Sequence, residues 1–301
     1  MSEQTEHEAF WRQLLDCAAS LDKKVDSVLP LLSVPAIKNH PIRYRVAYKL
    51  LEQLIGLAKS IITHTKISNE VKLQAVDENC QAIIALLRVL TESCNKFYYL
   101  AIEPANDDEL RIRWIYYSLV ACVKYKKLLE SVSSPQPDRE RDKAFAHIDR
   151  SISKHQTELA GCGIDKWPPF VALGKGKNGA DRQKNVLDGT TQEDYIKSDF
   201  YRALALRLNA TERKHYQDLG NVAVHSSGFM LFFRDAPPKT GIALITGAAC
   251  LNLWNASRHL TLCALELLHR FPEMEQLIDA QTKVDWQTVA RDVKEPGYLF
   301  T

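Results

Sequence analysis

Residues 241–268 read GIALITGAACLNLWNASRHLTLCALELL, the most apolar window of the chain. Asn252, Asn255, Arg258 and His259 interrupt it. It therefore lacks the run of about 18 apolar residues that a membrane-spanning helix needs. A long helix in the middle of a water-soluble core is the better reading, and it extends over Thr240–Phe271. Leu244, Leu251, Trp254, Leu260 and Leu265 are its expected core contacts. Such a helix needs other amphipathic helices around it.

The flanking sequence supplies them. Phe10, Leu14, Leu15, Ala18 and Leu21 form a stripe of helical period that fades near Pro30 and Pro35. Arg43–Thr65 places Val46, Leu50, Leu54, Leu57, Ile61 and Ile62 on one face. Ser68 or Asn69 can cap a further helix whose stripe runs from Val71 to Cys94. Asp107 and Asp108 favour the positive end of a helix reaching about Val132. Pro135 and Pro137 break it. Asp138–Leu159 is a very polar helix with a narrow edge of Phe145, Ile148 and Ile152. Helices resume over Gln192–Leu208 and Thr211–Ser226, and the tail carries short ones near Met274–Ala280 and Val284–Val293. Phe229–Phe233 (FMLFF) is either a short strand or a helix end. The fold class is all-α, a bundle of about eight to ten helices. The chain divides into an N-terminal helical half (1–160), a mobile Gly-rich connection (161–191), a C-terminal half (192–271) and tail helices (272–301), read together as one globular unit.

Composition sets the outer bounds. The 301 residues are 46% hydrophobic and 25% charged, with 12 glycines and 12 prolines, which excludes disordered and fibrous chains. A net charge of +2 gives no global basic field of the kind that announces nucleic-acid binding. The start, MSEQTEHEAFW, has no apolar stretch of the signal-peptide type, so a cytoplasmic, membrane-free protein is expected. The seven cysteines are scattered without a C-x-x-C pair, which suits reduced, mostly buried thiols. No histidine has ligand-like spacing, so neither a metal nor a cofactor is expected.

Three segments could carry chemistry. In Thr211–Gly228, Asp218, Asn221 and His225 fall on one helical stripe. This brings a carboxylate, an amide and an imidazole within mutual reach. Histidine can act as acid or base near neutrality. The alternative is a solvated Asp218 and Asn221, with His225 settled at a negative helix end. The preceding helix holds Tyr201 and Arg202. If the two fold into a hairpin, Arg202 could clamp an anion; otherwise it is a surface ion pair. The third segment runs from Arg111 through Arg113, Trp114 and Tyr117 to Lys124–Lys127. Cations interleaved with aromatics suit a nucleotide or single-stranded RNA, although the same pattern arises where tyrosines bury their rings beneath basic side chains. Arg45 and Glu52 share a helix face and could join a buried polar network. GKGKNG (174–179) lacks the spacing of a phosphate loop and no strand precedes it.

Two stretches carry a resemblance. DFYRALALRLN (199–209) and LGNVAVHSSG (219–228) resemble the Y-R-x-L-S…H-x-S pattern of an uncharacterised bacterial helical family, a domain of unknown function. RVAYKLLEQLIGL and RIRWIYYSLVACVKY resemble its earlier helices. The likeness covers roughly residues 40–270 and implies an all-helical cytoplasmic protein. More distantly, the chain is similar to HEPN (higher eukaryotes and prokaryotes nucleotide-binding) domains, many of which are ribonucleases in toxin–antitoxin and antiphage systems. Asn221–His225 matches the N-x-x-x-H half of their motif. Gly220 stands where the motif has arginine, so Arg202 or Arg113 would have to fill that place in space. The resemblance implies an effector of bacterial defence, acting on RNA or a nucleotide, or through a protein partner or a homodimer. A ligand-sensing helical domain without catalysis is the alternative.

Overall fold

A computed structural model describes residues 3–33, 42–70, 76–102, 104, 106–131, 139–162 and 238–294. The fold is all-α, and no strand occurs among the described residues. The helices are α1 (Glu3–Val28), α2 (Ile42–Glu70), α3 (Val76–Phe97), α4 (Asp107–Ser131), α5 (Arg139–Gly161), α6 (Pro238–Arg270) and α7 (Ala280–Lys294). The connection expected after Cys162, the two helices expected over 192–208 and 211–226 and the FMLFF segment lie outside the described residues.

Two compact units emerge. In the first, α6 is central: it packs against α1, α3, α2 and α7. The core is built from the expected stripes. Leu14, Ala18, Leu21 and Val25 of α1 are buried, as are Leu50, Leu54, Ile61 and Ile62 of α2 and Ile83, Leu87, Leu90 and Cys94 of α3. The second unit pairs α4 with α5, where Ile112, Ile115, Tyr116, Leu119 and Val120 close over Leu159. Contacts group the described helices before residue 102 with those after residue 238.

Local chemistry explains the helix ends. Pro30 starts a short 3₁₀ turn, Leu29–Leu32, that ends the first helical run. Asn106 caps α4, its Oδ1 accepting from the Glu109 N–H at 2.9 Å. Asp279 caps α7 in the same way through the Thr282 N–H at 2.9 Å. These hydrogen bonds from Thr282 hold the Asp279 carboxyl below its usual range. After α3 the chain widens into a π-turn, Tyr98–Ile102, whose two tyrosines are buried; no turn residue signals it.

The sequence reading needs three corrections. Ser68 and Asn69 do not cap α3; they lie in the last turn of α2, and α3 begins at Val76. Arg45 and Glu52 are both exposed, whereas Arg43, two residues earlier, is buried. Trp254 is not a core residue. It is 38% exposed, and Leu251 is only half-buried, while Leu253 and Leu260 are fully enclosed. Leu244 is outside what can be described. In α6 a large aromatic ring sits at the rim and charged neighbours lie within, the reverse of what hydrophobicity alone predicts.

α7 is fastened by Trp286, which is fully buried and donates its indole N–H to Ser27 Oγ of α1 at 3.2 Å. Trp286→Ala should lower stability by about 3–5 kcal/mol, read as a shift in the denaturant midpoint. Leu260→Ala should cost about 2–5 kcal/mol and Trp254→Ala clearly less. Equal losses at both positions would mean that α6 is oriented differently.

Candidate functional site

α4 has two unlike faces. Leu110, Ile112, Ile115, Tyr116, Leu119 and Val120 form the buried one. Arg113 lies at its flank, buried, and donates from its guanidinium to Glu109 Oε1 one turn earlier. The pair neutralises itself, as buried ions must. Arg113 is thereby turned away from the face that holds Arg111.

The opposite face follows the spacing Arg111, Trp114, Ser118, Ala121, Tyr125, in steps of three and four, with Tyr117, Lys124 and Leu128 beside it. Arg111, Lys124 and Tyr125 are exposed, and Trp114 and Tyr117 are half-exposed. The rings of Trp114 and Tyr117 lie 6.2 Å apart and inclined by 33°. Tyr125 and Leu128 are 53% and 56% exposed. From Leu110 to Leu129 the helix carries Arg111, Arg113, Lys124, Lys126 and Lys127 and no carboxylate. Asp149 of α5 engages Lys126 at 2.8 Å and raises its pKa. Arg111, Lys124 and Lys127 remain at the surface. Flat rings between cations offer stacking for bases and charge for phosphates.

A second polar group was passed over in the sequence, where its members looked only like interruptions of an apolar run. Asn252, Asn255, Arg258, His259 and Glu266 of α6 are all buried. The Arg258 guanidinium lies 4.4 Å from the centre of the Trp254 ring, and its Nη1 donates to Asn255 Oδ1 at 3.5 Å. Burial, and then the neighbouring Arg258 charge, push the His259 pKa down to about 4. At neutral pH this imidazole is uncharged and a poor proton carrier. The signal that could have found the group is the spacing Asn252, Asn255, His259, Glu266, which repeats on one helix face.

Of the residues singled out in the sequence, Arg111 is exposed and Tyr117 half-exposed on α4, and Arg113 is buried. Tyr201, Arg202, Asp218, Asn221 and His225 lie outside the described residues. Among the described residues no three His, Cys, Asp or Glu side chains are placed to hold a metal ion, and no helix is long and apolar enough to cross a membrane. Comparison with known proteins finds no matching family model, no matching curated protein and no matching solved structure.

His259 gives the fold a pH signature. The unfolded chain takes up the imidazole proton near pH 6.5, whereas the folded chain resists it down to about 4. Stability from this group is complete above pH 6.5 and is lost as pH falls through that window, by roughly 3 kcal/mol. Urea titrations from pH 7 to pH 4 should show the loss, and His259→Leu should flatten it.

Proposed function

We propose that this chain is a helical effector module of a bacterial defence or toxin system that holds single-stranded RNA against α4. The observation that carries the reading is the exposed face of α4, where Trp114, Tyr117 and Tyr125 alternate with Arg111 and Lys124. Stacking on such rings is tolerant of sequence, and surface cations add a salt-dependent attraction to phosphates. The overall charge of +2 fits a local site better than a basic surface. The defence and toxin context rests on the resemblance of the 199–228 stretches to the helical families named above.

Recognition on α4 needs no proton transfer. Cleavage would need a separate group, and the stripe Asp218, Asn221 and His225, with Arg202, is the candidate. There His225 would move a proton at the ribose 2′-hydroxyl or the leaving oxygen while an arginine steadied the phosphorane charge.

Fluorescence anisotropy with a labelled single-stranded RNA tests the binding step. Each stacked base contributes about 1–3 kcal/mol. Trp114→Ala with Tyr125→Ala should therefore weaken binding at least tenfold while the helical circular dichroism stays unchanged. Lys124→Ala should flatten the salt dependence. Wild-type affinity in the double variant would remove α4 from the interface. Gel analysis of the same RNA with His225→Ala separates cleavage from binding, because only cleavage should disappear.

A further inference from the structure

α5 is polar along most of its length, and its charges are sorted by sign. Arg139, Lys143, Arg150 and Lys154 are exposed and follow spacings of four, seven and four residues. At 3.6 residues per turn these positions fall within roughly 60° of one another. They lie about opposite Ile152 and Leu159, which pack into the core shared with α4. The exposed residues among them are small: Ala146, Ser153 and Thr157. The carboxylates of the helix, Glu140, Asp142, Asp149 and Glu158, lie off this line. Asp149 is turned to Lys126 of α4 at 2.8 Å, and Glu158 to His155 at 3.6 Å. Glu140 reaches one member of the stripe, accepting from Lys143 Nζ at 2.6 Å, an exposed pair of the kind that contributes little. Arg139, Arg150 and Lys154 make no ion pair among the described residues.

We propose that this stripe is a phosphate track that holds double-stranded RNA by its backbone. The choice of RNA over DNA rests on the reading of α4 above; the track itself shares no residue with the α4 face. A helix that is merely solvated gains from opposite charges at i and i+4. Here like charges stand four apart at both ends of the stripe, Arg139 with Lys143 and Arg150 with Lys154, an arrangement that opposes the helix. A bound polyanion removes that repulsion.

The occupant follows from what the stripe lacks. Protein interfaces are anchored by aromatic and large apolar side chains, and none lies on this line. A helix that enters a lipid surface needs an open apolar face, and that of α5 packs against α4. No ring is present on which an unpaired base could stack. What remains is positive charge along a straight line of about 22 Å, from Arg139 to Lys154 at 1.5 Å per residue. A duplex is its complement, because it hides its bases and presents about one negative charge per 1.7 Å of axis. Double-stranded RNA is held largely through shape and backbone. The small residues between the cations let that backbone approach the helix closely.

The test measures fluorescence anisotropy of a short, blunt-ended, labelled RNA duplex with the full chain over a range of salt. The wild type should bind, with affinity falling steeply as salt rises. Neutralising Arg139→Gln, Arg150→Gln and Lys154→Gln together should lower the slope of log affinity against log salt by about 3 and weaken low-salt binding by about tenfold or more. The same triple variant should keep its affinity for single-stranded RNA, and Trp114→Ala with Tyr125→Ala should keep its affinity for the duplex. Failure of the track and failure of the α4 reading are therefore read separately. Arg139→Lys with Arg150→Lys preserves the charge and should preserve duplex binding. A wild type that leaves the duplex unbound, a triple variant with wild-type affinity and slope, or a loss in the lysine variant would each overturn the track. Tighter binding of a duplex DNA of the same sequence would overturn the assignment to RNA. Sedimentation with phosphatidylserine vesicles, lost in the triple variant while the duplex stays unbound, would give the stripe to a membrane surface instead.

Discussion

Burial of α6 along most of its length is the constraint on which the first unit depends. A helix in the centre of a bundle can expose none of its polar side chains cheaply, and α6 carries several. It hides the short ones in its own backbone. Asn252 donates to Ala248 O at 2.8 Å, Ser257 to Leu253 O at 3.2 Å and Thr261 to Ser257 O at 2.9 Å. Each returns a side-chain donor to a carbonyl one turn back, so none needs a partner from a neighbouring helix. The charged Arg258 is handled differently. Its guanidinium lies over the Trp254 ring and beside Asn255, which keeps the cation against polarisable and polar groups at the edge of the core. Trp254 is exposed because it covers a cation.

The same arrangement accounts for how the neighbours sit. α1 and α3 bring apolar stripes to α6. Trp286 locks α7 to α1 through one indole hydrogen bond. Tyr44 at the start of α2 meets Phe271 just after α6, edge to face at 5.1 Å, and so ties the ends of two helices together.

α4 solves a different problem. Its apolar residues lie on both faces, and only one face is covered by α5. Arg113 and Lys126 are engaged by Glu109 and Asp149, and the cations on the open face lie among aromatic rings.

The 3.6-residue spacing of apolar side chains, read from the chain alone, determined the all-α class and the helices themselves: the stripes at Leu14–Leu21, Val46–Ile62 and Ile83–Cys94 became buried faces. Asp107 and Asp108 also marked the start of α4, because the preference of carboxylates for a helix start is a local matter. The cation–aromatic pattern of 111–127 was legible for the same reason. Tertiary structure alone decided how each face was used. Whether Arg43 or Arg45 goes inside, whether Trp254 or Arg258 is enclosed, and whether α3 begins at Asn69 or Val76 depend on the neighbouring helix, which periodicity does not name. The meeting of Trp286 with Ser27 is likewise a product of packing, since contacts between residues so far apart in sequence arise only when two helices close against each other.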